Sequence, residues 1–268
     1  GKEGKGILPV CGEGLKDLSV YGADRSFVIF YDGEDNVQEE DAFIAEGHPI
    51  IKIRIVDNYD LGSQMYIWEM ATAVIGHILG VNPFYQPDVE ATKALTRKMI
   101  AMYREKKGLP QENPSLATSE CSIYGGSSAT TPEAVLHNFL EQAKEGTYVS
   151  IQSYLTFQPE LDECLRQLRA AISIKYSMAV TIDYGPHYLH STGQLHKGDA
   201  GKGLFIQLTA DEKEDLAIPD KPGSSESTIT FGTLKAAQAL GDRQALIELG
   251  RKVIRFHFAK NTAVTIKK

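Results

Sequence analysis

The chain has 268 residues, of which 42% are hydrophobic and 24% charged, ordinary proportions that allow one large or two small domains, each with a real core. Its net charge of −7 leaves no basic stripe to displace counterions, which excludes a general nucleic-acid binder but not a site for a small anion. Cys11, Cys121 and Cys164 are odd in number and widely spaced, so neither a disulfide framework nor a zinc knuckle is expected, and no apolar run reaches the roughly 18 residues that cross a bilayer. A reducing compartment follows, and the cytoplasm is the expected location. The start, G-K-E-G-K-G, has neither an initiator Met nor the apolar core of a signal peptide, and reads as a piece of a longer chain.

In chain order, residues 7–10 are a short apolar run, and residues 26–31 (S-F-V-I-F-Y) a stronger one of the aromatic and β-branched kind that strands favour. A helix is expected over 41–46. Residues 49–56 (P-I-I-K-I-R-I-V) alternate with period two, as a strand does. Residues 61–79 read as a helix that is apolar on most of its circumference, ended by Gly80. The order βαβα predicts a parallel sheet with helices on its faces. Glu69 lies inside the apolar helix. A carboxylate there has to be paired, solvated or protonated; a buried ion pair or backbone hydrogen bond is the plain reading and a catalytic role the alternative.

Asn82-Pro83 forces an extended turn, and Pro87 suits the first turn of a new helix over 88–107. Gln86 thus sits beside a helix N-terminus, where free N–H groups favour an anion. Lys93 falls on the same helical strip as Val89, Thr96 and Ile100. Its plain reading is a lysine snorkelling at the edge of a packed helix; the functional one is a cation facing a phosphorylated or enolisable substrate. Residues 108–131 are rich in proline, glycine, serine and threonine and read as a linker. The pair Gly125-Gly126 could cradle a phosphate, but no strand leads into it, and a plain loop is expected.

A second α/β block is expected over 132–268. Helices are expected at 132–144, capped by Thr131, and at 159–174, with strands at 147–154, 178–184 and 203–209. An exposed loop follows over 211–227, then helices at 231–240 and 242–251 separated by Gly241, and a closing strand at 253–258. Between two of these strands runs G-P-H-Y-L-H-S-T-G-Q-L-H-K-G, which puts His187, His190 and His196 close together in sequence. The spacing fits no standard zinc pattern. A histidine in a loop at a strand end can move protons near neutral pH, and strand ends are where parallel α/β sheets bind ligands. A satisfied loop histidine is the plain alternative.

The segments V-N-P-F-Y-Q-P-D-V-E-A-T-K, Y-G-P-H-Y-L-H-S-T-G-Q-L-H-K-G and F-G-T-L-K-A-A-Q-A-L-G-D together resemble the phosphoglucose isomerases. In particular they resemble the C-terminal isomerase part of the bacterial bifunctional transaldolase/glucose-6-phosphate isomerase proteins. The resemblance implies a three-layer αβα sheet of the sugar-isomerase (SIS) type over 1–107, followed by a linker and a smaller α/β domain carrying the histidine motif. It implies interconversion of glucose 6-phosphate and fructose 6-phosphate through ring opening and a cis-enediol, without metal or organic cofactor. Lys93 and His190 would be catalytic, His190 as the ring opener; Gln86, Glu90, Gln194 and His196 would bind substrate.

Two departures stand out. Tyr85 occupies the place of the family's aspartate before the glutamine. The family's proton-transfer glutamate lies in an E-S-x-G-K motif, and Gly1-Lys2 match only its end, which would put the base upstream of this chain. The partners implied are a sugar phosphate, the upstream SIS half, a transaldolase domain of the same polypeptide and further copies in a homo-oligomer. The rival readings are a non-catalytic sugar-phosphate-binding module and an assembly domain.

Overall fold

The structure is a computed structural model that describes residues 1–13, 20–32, 43–44, 46–212, 214–259 and 266. By its contacts the chain divides into two units. One holds residues 12–85 and 173–178; the other holds residues 1–11, 86–172 and 179–268.

In the first unit, β1 (Phe27–Tyr31) and β2 (Ile50–Arg54) pair in parallel, Phe27 opposite Ile50 and Tyr31 opposite Arg54. Phe27 packs on Phe43 and His48, with ring centroids 4.5 and 5.3 Å away. Of the helix expected at 41–46, residues 41, 42 and 45 lie outside the described residues. Helix α1 (Asn58–Leu79) starts at Asp57, whose carboxylate accepts from the backbone N–H groups of Tyr59 and Asp60, and stops at left-handed Gly80, the usual device for ending a helix. Its apolar circumference is exposed: Tyr66, Ile67, Trp68, Met70, Val74 and Ile78 all face solvent. Glu69 is exposed with them, so neither the buried ion pair nor the buried catalytic carboxylate is present in this chain. A carboxylate that keeps its water needs no partner.

The second unit opens with α2 (Pro87–Lys106), which has proline in its first turn and Gln86 at its N-cap. Then come β3 (Leu116–Ala117), β4 (Cys121–Tyr124), α3 (Pro132–Leu140), β5 (Tyr148–Ser153), α4 (Pro159–Tyr176) and β6 (Ala179–Tyr184). A 3-10 turn over His187–His190, α5 (Gly193–Gly198), β7 (Gly203–Ala210), β8 (Ala217–Ile218), β9 (Ile229–Thr230), α6 (Phe231–Glu248) and β10 (Lys252–Phe258) complete it. The sheet runs β3-β4-β10-β7-β5-β6, with β10, β7, β5 and β6 parallel and β3 and β4 antiparallel at one edge. Every residue of β5 is buried, as a central parallel strand covered by helices requires. This is a mixed α/β fold with a parallel-dominated sheet and helices on both sides.

Three expectations change. The stretch expected as a linker contributes β3 and β4, and its Glu112 accepts from Arg243 Nη1 at 2.8 Å on both carboxylate oxygens. Its prolines and glycines flank a two-stranded hairpin that turns at residues 118–120, and β4 leads directly into Gly125-Gly126, where no strand was expected. The division in the chain falls at Gln86, because α2 packs against α6 in the six-stranded unit. Gly241 does not separate two helices. Helix α6 runs through it, and a Cβ there would lie 3.0 Å from the Thr96 backbone nitrogen, so the missing side chain lets α2 and α6 approach closely.

Candidate functional site

A cavity of about 180 Å³ opens between α2, the 3-10 turn, α5 and α6, lined by Val89, Thr92, Lys93, Thr96, Arg97, Leu189, His190, Lys197 and Gln238. Three local features bring these side chains together. The helical spacing of α2 puts Val89, Thr92, Lys93 and Thr96 on one strip, with Val89 and Thr92 buried. The chain leaving β6 passes through the 3-10 turn, which delivers His190 at its end. Helix α5 follows at once and presents Lys197. The cavity therefore lies at the C-terminal end of a parallel strand, the usual place for a ligand in such sheets.

Lys93 and His190 line the same cavity. The Lys93 ammonium, about half exposed, donates to Glu90 Oε1 at 2.7 Å. That hydrogen bond, with the attraction of the same lysine behind it, holds the exposed Glu90 carboxyl below its ordinary range. Gln86 is exposed at the start of α2 and makes no side-chain cap bond. Gln194 and His196 lie inside the protein rather than on the cavity wall. Gln194 is fully engaged: its Oε1 accepts from Asp88 N–H at 3.2 Å, and its Nε2 donates to Asp88 Oδ2 at 2.6 Å and to the Gly1 carbonyl at 3.2 Å. It ties the start of α2 and the start of the chain to α5.

His196 is completely buried between the rings of Phe205, Tyr188 and Tyr148. Burial pushes its pKa down to about 3, so the ring is neutral at ordinary pH. Its Nδ1 lies 3.4 Å from Gln152 Nε2.

The sequence reading passed over the group behind the cavity. Lys197 is 1% exposed at its side chain and donates to Asp242 Oδ1 at 2.5 Å; Asp242 is 0% exposed. Tyr188 donates to the other oxygen, Asp242 Oδ2, at 2.6 Å, and its hydroxyl lies 3.1 Å from that of Tyr154. Arg251 clamps the end of α5 through the Lys197 and Asp199 carbonyls. The signal for Asp242 was its place at the end of F-G-T-L-K-A-A-Q-A-L-G-D, an acid in a stretch otherwise rich in alanine and leucine. Among the described residues no group of three or more histidines, cysteines and acids is placed to hold a metal ion.

No family model matches the sequence. Short segments match glucose-6-phosphate isomerases. The chain is 47% identical over 53 residues to that of Enterococcus faecalis, covering 20% of this chain and 11% of the relative. It is 40% identical over 67 residues to that of Shouchella clausii, covering 25% and 14%. It is 29% identical over 156 residues to that of Parabacteroides distasonis, covering 43% and 34%. The matched segments therefore span between 11% and 34% of these relatives' lengths. Over those segments the chain is related to glucose-6-phosphate isomerases.

Proposed function

We propose that this chain is part of a sugar-phosphate isomerase that interconverts glucose 6-phosphate and fructose 6-phosphate. The observation that carries the reading is the meeting of Lys93 and His190 on one cavity wall, from segments about a hundred positions apart that both resemble isomerase motifs. Moving a proton between adjacent carbons needs an acid to open the ring, a base, and cations for the phosphate and the enediolate. His190 is the ring-opening acid, with Lys93 and Arg97 at the exposed mouth of the cavity for the phosphate. Gln86 and Glu90, at the N-cap and in the first turn of α2, lie outside the cavity lining and would meet substrate only from the α2 N-terminus, while Gln194 and His196 act from behind the wall by fixing α5.

No carboxylate lines the cavity among the described residues, so the base comes from elsewhere in a longer polypeptide or from a second copy. The start of the chain is held against α5: the Gly1 carbonyl accepts from Gln194 and the Gly4 N–H donates to the Gly198 carbonyl. The two-stranded parallel sheet and exposed α1 fit a longer polypeptide. Parallel sheets are stable when both faces are covered, and an upstream SIS half would cover these.

The isolated chain should show little turnover in a coupled assay, while the full-length parent is active. In the parent, Lys93→Ala should lower kcat/KM by two orders of magnitude or more; an unchanged rate removes Lys93 from the site. The exposed apolar surface of α1 also suits an assembly domain, as for an attached transaldolase. Full parental activity after joint loss of Lys93, His190 and Gln86 would favour that reading.

A further inference from the structure

We propose that Lys197 is a second substrate-facing cation of this cavity, held by Asp242 and Tyr188 so as to meet negative charge on the reacting end of the sugar rather than on its phosphate. The proposal rests on the sugar-phosphate reading above. It starts from a difference in burial. Lys93 is 47% exposed at its side chain and Lys197 1%, although both line the cavity. A long, hydrated ammonium at the mouth suits a phosphate that stays partly solvated. A buried ammonium in a drier setting interacts more strongly with charge that forms during the reaction.

The lysine is also held in place. Its Nζ donates to Asp242 Oδ1 at 2.5 Å and to the Gly193 carbonyl at 3.3 Å, which uses two of its three N–H donors and leaves one for a ligand. The other carboxylate oxygen is taken by Tyr188 O–H at 2.6 Å, and the Tyr154 hydroxyl stands behind that at 3.1 Å. Burial holds both phenols protonated, far above their ordinary range, so Tyr188 acts toward the carboxylate only as a donor. Asp242 with its two braces is a positioning group: it neutralises Lys197 at rest and fixes the ammonium in one place. A structural ion pair alone would have no need of a place on a cavity wall beside His190.

The test uses the chain as it exists and two ligands that share a phosphate. One is 6-phosphogluconate, with a carboxylate at the reacting end; the other is sorbitol 6-phosphate, neutral there. Calorimetry on the wild type should show tighter binding of 6-phosphogluconate by tenfold or more. The charge-free pair Lys197→Gln/Asp242→Asn, checked for folding by circular dichroism, should lose that preference and keep its affinity for sorbitol 6-phosphate within about twofold. Tyr188→Phe, which keeps both charges and loosens the brace, should narrow the preference two- to fivefold while leaving sorbitol 6-phosphate untouched; it carries the test if the pair variant does not fold. An undiminished preference in whichever of these variants folds overturns the role of Lys197 and leaves the sugar-phosphate site standing. Failure of the wild type to bind either ligand overturns both.

Discussion

In the six-stranded unit Phe205, Ile151, Leu246 and Ile254 have almost no contact with water, whereas in residues 12–85 Trp68, Tyr66, Ile67 and Ile78 stand largely in it. The smaller unit is no less apolar in sequence than the larger, so hydrophobicity alone does not explain the difference. The larger unit has four parallel strands and helices on both sides, enough layers to cover its apolar side chains. The smaller has two paired strands among its described residues, too few to form a buried sheet on their own. Apolar residues left facing water in such numbers make an adhesive surface, the one for which an upstream SIS half is proposed above.

Stability measurements can break this comparison. Phe205→Ala should cost about 3–5 kcal/mol in denaturant unfolding, as removal of a fully buried ring does, while Ile78→Ala in the same chain should cost less than about 0.5 kcal/mol. Equal costs would mean that α1 is packed as tightly as the sheet. The second effect, of a few kcal/mol, is acid sensitivity specific to the larger unit. His196 is neutral in the folded chain down to about pH 3 but takes up a proton near pH 6.5 once unfolded. The unfolded state therefore binds more protons between these values, and stability falls as pH drops from about 6.5 toward 3. His196→Gln should flatten that fall in thermal melts taken between pH 7 and pH 4; an identical slope would show that other groups set it. Next, Thr131→Ala should cost about 1 kcal/mol, because the Thr131 hydroxyl accepts from the Ala134 N–H at the start of α3. The smallest change in stability, near zero, should come from Met65→Lys with Ile78→Lys. The same pair should sharply reduce binding of a hydrophobic dye by the isolated chain, and undiminished dye binding would place the sticky surface elsewhere.

Most of the sheet was legible because its strands carry local signals. Residues 178–184, 203–209 and 253–258 are short runs of β-branched and apolar residues, and the strands fall within a residue or so of those bounds. The starts of α2 and α3 were legible through Pro87, and through Thr131 with Pro132. What failed was reading long-range partners from local composition. The turn residues of 108–131 gave no hint that Cys121–Tyr124 would pair with β10, since pairing depends on a strand more than a hundred residues later. Gly241 carried the usual mark of a helix break, and only the nearness of Thr96 shows why a glycine stands inside a continuous helix. At the cavity, Lys93 and His190 could be named because the resemblance gives each a role. Lys197 and Asp242 stand in the quoted segments too, but they went unassigned because their chemistry exists only as a pair, 2.5 Å apart, and nothing local ties position 197 to position 242.

The bare backbone at Gly241 has one more consequence. The helix that carries Lys93 and the helix that carries Asp242 meet there, Thr96 against the bare Gly241 backbone, at the residue next to Asp242 and one turn from Lys93. Any residue larger than glycine at 241 would have to push these two helices apart. Both contribute walls to the cavity, so such a change would widen the site without touching a ligand.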